Sequence, residues 1–301
     1  MLSPQSDHKF SILIPTWNNL PYLKKCIEGI RANSTFKHEI IVHINEGTDG
    51  SLEWIAAQSD IKYLHSETNA GVCFSLNTCR TLASTDYILY LNDDMYVCPG
   101  WDKYLFEEIE NTPHKYFFFS ATAIEPRAQS LCSIEKNYGT SLGNFDEATL
   151  LNEFASLPMS DWHGATWAPN IVHKDIWDLV GGYSIEFSPG MYSDPDFSMK
   201  LWNAGVRLFK GVAKSRVYHF TSVSVNRVKH NMGYHTFIAK WGITASSMSK
   251  YMLKRGTPFT GPLTFCQFPF IIQMKNFFKT IIAVIRLSSA KWYVRVVYKT
   301  R

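Results

Sequence analysis

The chain has 301 residues, 46% apolar and 19% charged, which suffices for a sizeable core and excludes a disordered or fibrous protein. Aromatic residues reach 15%, which points to flat ligands, sugars or a membrane interface among the partners. The net charge of +4 hides a division: residues 1–196 hold all 26 acids and 12 of the 30 Lys/Arg, while residues 197–301 hold 18 Lys/Arg and no acid. The first part therefore carries −14 and the second +18, which aims the C-terminal third at an anionic surface, nucleic acid or acidic lipid.

Six cysteines (26, 73, 79, 98, 132 and 266) form no CxxC pair and no metal spacing, so they read as reduced thiols, mostly in the core. Met1–Lys9 is polar, without the apolar run of a secretory leader. Gly256–Met274 is uncharged but carries Pro258, Pro262 and Pro269, which a regular spanning helix does not tolerate. A cytoplasmic location is expected.

In chain order, Lys9–Pro15 predicts a buried strand ending at a proline. Asn18, Asn19 and Pro21 open a helix that continues through Leu23, Ile27 and Ile30. Glu39–Ile44 is a second strand; Gly47, Asp49 and Gly50 make a turn, with Ser51 expected to cap a short helix to Ala57. Ile61–Leu64 is a third strand, Ala70–Leu82 a helix, and Tyr87–Leu91 a fourth strand ending on Asn92-Asp93-Asp94. Tyr116–Ala123 is a further strand, and residues 126–160 are expected to be a long loop with short helical pieces, of the kind that lids a substrate. Helices follow at Lys174–Val180 and Asp196–Ala204, then strand-like 206–219, and beyond about 230 an aromatic, basic and helical tail. Alternating strands and helices predict an α/β domain, a mostly parallel sheet with helices on both faces. Ligands bind such sheets at the carboxyl ends of the strands.

Three constellations carry chemistry. Asp93-Asp94 at a strand end supplies hard oxygen ligands for Mg²⁺ or Mn²⁺, or else a solvated turn. Ser193-Asp194-Pro195-Asp196 opens a helix; its acids read as helix-start residues or as working carboxylates. His219 beside apolar residues reads as a packed histidine or as a second metal ligand with Asp94.

The order of the motifs raises all three: Ile14-Pro15-Thr16-Trp17-Asn18, Thr48-Asp49-Gly50-Ser51, Asn69-Ala70-Gly71 with Asn77, Leu91-Asn92-Asp93-Asp94, Gly181-Gly182-Tyr183, Asp194-Pro195-Asp196, then His219. This series resembles family 2 glycosyltransferases of the GT-A fold, a Rossmann-like sheet domain, over roughly residues 9–222. The resemblance implies an inverting transferase using a nucleotide-diphosphate sugar and a divalent metal, Mn²⁺ or Mg²⁺. It implies Asp94 and His219 as metal ligands and Asp194 as general base, with Asp196 as the rival for that role. It implies a donor site from Pro15, Thr16, Trp17, Asn18, Asn45, Glu46, Asn69, Gly71, Asn92 and Asp93, with Gly181 and Gly182 bordering the donor sugar. Asn92, Ser193 and Leu76 depart from the family's Asp, Glu and Arg, and Asn45 stands where many relatives have a uracil-contacting acid, which leaves the nucleotide open.

On this reading residues 1–226 form the catalytic domain, with donor binding in roughly 9–125 and acceptor and base functions in roughly 126–226. Residues 227–301 form a basic, aromatic extension. In Lys275–Leu287, Lys275, Lys279 and Arg286 recur at helical spacing among Phe277, Phe278, Ile281, Ile282, Val284 and Ile285, which resembles a helix lying in a membrane interface. The expected partners are a sugar donor, a glycan or lipid-linked acceptor and an anionic membrane surface on its cytoplasmic face; nucleic acid is not expected. A non-catalytic sugar-nucleotide binder and a nucleotidyltransferase are the rival readings, the latter without its Gly-rich basic loop.

Overall fold

Uninterrupted apolar runs such as Ile12-Leu13-Ile14 and Ile40-Ile41-Val42 require burial on both faces, and a helix-covered parallel sheet provides it. The computed structural model describes residues 7–128, 130–220 and 231–299, with side chains through Ser289. The proposed boundary at 226/227 lies outside the described residues, as do the side chains of Lys291, Trp292, Tyr293, Arg295, Tyr298, Lys299 and Arg301.

The elements are β1 (Phe10–Trp17), α1 (Leu20–Asn33), β2 (Glu39–Asn45), α2 (Ser51–Ala56), β3 (Ile61–Ser66), α3 (Val72–Arg80), β4 (Tyr87–Tyr90), β5 (Met95–Val97), α4 (Trp101–Glu110) and β6 (Phe117–Glu125). They continue as β7 (Ser133–Glu135), α5 (Glu147–Glu153), β8 (Trp162–His163), β9 (Asn170–His173), α6 (Lys174–Val180), α7 (Ser193–Asn203) and β10 (Leu208–His219). The C-terminal part adds α8 (Gly233–Trp241), α9 (Ala245–Ser247) running into a π turn at Met248–Met252, and α10 (Phe270–Lys299).

The sheet runs β3-β2-β1-β4-β9-β6-β10-β5, with β7 on β6 and β8 on β10. Strands β3, β2, β1 and β4 are parallel, while β9 enters antiparallel between β4 and β6, with Ile171 opposite both Leu89 and Phe119. One face packs on α1 and α4 through Leu23, Ile27, Trp101 and Leu105. The other packs on α3, α6 and α7, and its cluster includes Phe237, Met248, Met252, Leu253 and Leu263 from the C-terminal third. That third is therefore bound into the sheet's own core.

Several local expectations need correction. Ser51 lies inside α2, whose cap position is Gly50; Asp49 accepts from the Ser51 N–H at 3.1 Å and from the Leu20 N–H at 2.7 Å, so one carboxylate ties the starts of α2 and α1. The helix expected from Asp196 begins at Ser193 after Tyr192, so Asp194 is in its first turn and not its cap. The 126–160 segment holds the short helical piece expected there, α5, and adds the strand β7, which was not expected. Strands β5, β8 and β9 and helix α4 were not anticipated.

Candidate active site

The carboxyl ends of β1, β4 and β10 open on one cavity of about 1090 Å³. Its lining includes Pro15, Thr16, Trp17, Asn45, Asn69, Asn92, Asp93, Asp94, Asp194 and His219, so ten of the sequence-predicted residues meet there.

Register explains the acidic corner. β5 pairs antiparallel with β10, with His219 opposite Met95, and the Phe220 N–H bonds the Asp94 carbonyl at 3.2 Å. The imidazole of His219 thus lies between two carboxylates, with Nε2 3.5 Å from Asp94 and Nδ1 2.9 Å from Glu125. Burial disfavours the imidazolium, but Asp94 and Glu125 together outweigh it and push the His219 pKa up to about 10. Asp93 accepts from the Thr16 hydroxyl at 2.6 Å, which links the ends of β4 and β1.

Among the described residues no group of three or more His, Cys, Asp or Glu forms a metal cage. Asp94 and His219 nevertheless fit a cation shared with a ligand. Two donors about 2.1 Å from a metal, on adjacent octahedral positions, lie about 3 Å apart. The observed 3.5 Å is close to that. A carboxylate and an imidazole suit Mn²⁺, whose other positions phosphate oxygens and water can fill.

Asp194 stands in the first turn of α7, where the helix dipole, its own backbone N–H and the Tyr183 hydroxyl at 3.2 Å all favour the carboxylate. Burial is the larger effect and pushes its pKa up to about 7. Asn77 holds this arrangement: its side chain accepts from the Tyr183 N–H at 2.8 Å and donates to the Tyr183 carbonyl at 2.7 Å. Asp196 is placed differently. It is fully buried, accepts from Ser184 at 2.6 Å and from the Trp241 indole at 2.8 Å, pairs with Lys240 at 2.8 Å, and does not line the cavity.

Asn45 lines the cavity, yet its amide is engaged with the Thr16 carbonyl, the Ser75 hydroxyl and the Ala70 N–H. Asn18 and Glu46 bond each other at 3.0 Å beside the cavity. Gly71 seats the start of α3 on the Pro189 backbone, the Val72 N–H bonding the Pro189 carbonyl at 3.0 Å. Gly181 ends α6 in the left-handed region, and Gly182 packs on Asn77 and Trp177; neither lines the cavity. Sequence reasoning gave no role to Glu125, Trp167, Lys250, Lys254 or Arg255. No motif marks them, because they reach the site from β6, from the approach to β9 and from the basic tail.

Residues 11–130 match the family profile described as Glycosyl transferase family 2. Over this segment the chain is similar to family 2 glycosyltransferases. The matched segment contains Thr16, Asp93 and Asp94 but ends before Asp194 and His219. A 108-residue stretch is 31% identical to glycosyltransferase GlyA of Streptococcus pneumoniae serotype 4, covering 34% of this chain and 15% of that one. A 195-residue stretch is 20% identical to an uncharacterized glycosyltransferase of Haemophilus influenzae, covering 64% of this chain and 61% of that one. The chain thus spans less than two thirds of either relative. Among solved structures, S. aureus TarS 1-349 is similar at a TM-score of 0.55 and 12% identity, covering 94% of this chain and 73% of that one. GalNAc-T7, crystallised with UDP, GalNAc and Mn²⁺, is similar at 0.55 and 13% identity, covering 77% and 48%. These likenesses establish the GT-A fold.

Proposed function

We propose that this chain is an inverting glycosyltransferase that moves a sugar from a nucleotide-diphosphate donor to an acceptor hydroxyl. The observation that carries this is Asp194: a carboxyl held near neutrality in the same cavity as the Asp94–His219 pair. A general base works best with a pKa close to the ambient pH. The acceptor oxygen attacks the anomeric carbon from the face opposite the leaving group, and its proton passes to Asp194. The bond from the anomeric carbon to the phosphate oxygen breaks, and its electron pair leaves with the nucleoside diphosphate. Tyr183 keeps the Asp194 carboxylate aimed by its hydrogen bond. Asp94 and His219 would hold a divalent cation, which supplies Lewis-acid stabilisation of the leaving diphosphate. The UDP bound in the TarS and GalNAc-T7 complexes makes UDP-sugars the first donors to try. Asp194→Asn should lower kcat by at least about 100-fold while leaving donor affinity within about twofold, as measured by product formation and calorimetry. A variant that keeps its turnover rules out Asp194 as base.

The second part of the reading is a partner surface: α10 docks on the cytoplasmic face of an anionic bilayer that carries a glycan or lipid-linked acceptor. At 100° per residue, Asn276, Thr280 and Ala283 share one face, on which Asn276 and Ala283 are buried and Asn276 accepts from the Ser247 hydroxyl at 3.0 Å. Phe277, Phe278, Ile281, Ile282, Val284 and Ile285 turn away and stay exposed, flanked by Lys275, Lys279 and Arg286. This inverts a solvent-facing helix and matches one lying in an interface. Among the described residues no helix is long and apolar enough to cross a membrane. Replacing Phe277, Phe278 and Ile281 by Ser should abolish co-sedimentation with phosphatidylglycerol vesicles. Unchanged co-sedimentation would remove this part of the reading.

A further inference from the structure

The cavity has a cationic wall as well as an acidic one. Arg255 follows the Met248–Met252 turn on a strap fixed to β8: Gly256 N–H to His163 O at 2.9 Å, His163 N–H to Thr257 O at 2.8 Å, and Phe259 N–H to Asp161 O at 2.8 Å. The approach is so close that a Cβ on Gly164, whose φ is +91°, would lie 2.6 Å from the Arg255 Cα. The guanidinium stacks 3.6 Å from the centroid of the Trp167 ring and donates to the Ser130 hydroxyl at 2.9 Å. Its Nε is buried without a hydrogen-bond partner among the described residues. No described carboxylate pairs with it; Glu125 acts at longer range and is already held by His219. The residues outside the description contain no Asp or Glu. Lys250 and Lys254, both exposed, line the same wall. A fixed, part-buried guanidinium without a counter-ion is costly unless an anion joins it, and its planar fork matches two phosphate oxygens.

We propose that Arg255, flanked by Lys250 and Lys254, is an anion subsite that holds a phosphate group of a ligand in this cavity. The proposal rests on the glycosyltransferase reading only for the source of that phosphate: the donor's diphosphate or a phosphorylated acceptor. The cavity, at about 1090 Å³, is at the upper end of ligand-pocket sizes and has room for both. Trp167 fixes the plane of the guanidinium, and because Nε is buried, the terminal amino groups are the donors left to meet a phosphate.

The test is calorimetric titration of the full chain, without divalent metal, using UDP, uridine, inorganic pyrophosphate and a short alkyl phosphate. Arg255→Gln should weaken pyrophosphate roughly 10- to 100-fold, the range for a charge-assisted hydrogen bond, and leave uridine unchanged. If UDP weakens equally, the phosphate is the donor's; if UDP holds and the alkyl phosphate weakens, it is the acceptor's. If the wild type binds pyrophosphate through Arg255 but neither UDP nor uridine, the subsite stands and the UDP reading fails. If no phosphate ligand distinguishes Arg255→Gln from wild type, the subsite is overturned. The exposed pair Lys250→Gln/Lys254→Gln repeats the test should Arg255→Gln fold poorly, with a loss of several-fold expected and an unchanged affinity counting against the subsite.

Discussion

At the scale of single residues, Asp194 and Asp196 show that two acids two positions apart on one helix do opposite things. Asp194 faces the cavity, and its carboxyl is pushed up to about 7 by burial. The native state therefore holds a proton between about pH 4 and 7 that the unfolded chain has lost, so stability falls as pH rises through that window. A shift of this size corresponds to at most about 4 kcal/mol. Asp194→Asn, which keeps an oxygen for Tyr183 and carries no charge, should be more stable than wild type at pH 8 and nearly equal to it at pH 4 in urea titrations. The rate of transfer should rise with pH to a plateau above about 7, because the base works only when ionised. Asp196 ties Ser184, Trp241 and Lys240 together beneath the site. Asp196→Asn leaves Lys240 with Glu186 as its remaining acid and should lower stability by about 3 kcal/mol. Donor affinity, read by calorimetry on the folded fraction, should stay unchanged. The resemblance put Asp194 first with Asp196 as its rival; that Asp194 lines the cavity while Asp196 is buried away from it appears only in the fold.

At the scale of elements, the parallel half of the sheet was legible because each strand is a continuous apolar run bounded by turn residues. Thr16 and Trp17 were placed just past the first strand, whereas β1 runs on through Trp17, so both are held in register with β2 at the carboxyl end of the strand. Helix α4 could have been found: Trp101, Leu105 and Ile109 stand four apart after Gly100, and all three are buried. Strand β9 could not, since four residues of Asn-Ile-Val-His carry no period, and it is fixed by pairing with β4 and β6. Gly71 shows how an element end builds the site. Its φ is +82°, and a Cβ would lie 2.7 Å from the Pro189 Cα, so only glycine lets α3 begin against that loop. Gly71→Ala should cost about 2 kcal/mol in stability and, by pushing Pro189 and the neighbouring start of α7 outward, reduce kcat more than donor affinity. Equal loss in both would place the effect on the donor side alone.

At the scale of the whole molecule, the division of charge was written in the sequence, with every acid before residue 197 and eighteen cations after it. So were the sheet class and the order of the motifs, because local apolar patterning and turn chemistry act over a few residues and leave a readable trace. The basic tail was legible as a separate charged segment, but not as part of the core. In the fold Phe237, Met248 and Leu253 are buried on the sheet, and Lys250, Lys254 and Arg255 come round to the cavity that holds Asp94. The cavity thus gathers residues more than 150 positions apart, Asp94 and Lys254 among them, and depends on which surfaces are left after the sheet has formed. Chain-local pattern determined the class of fold and the acidic motifs. Tertiary packing alone decided which carboxylate is desolvated, which histidine stands between two acids, and which arginine is held without a counter-ion, since burial and the distance between charges do not exist until the chain has closed on itself.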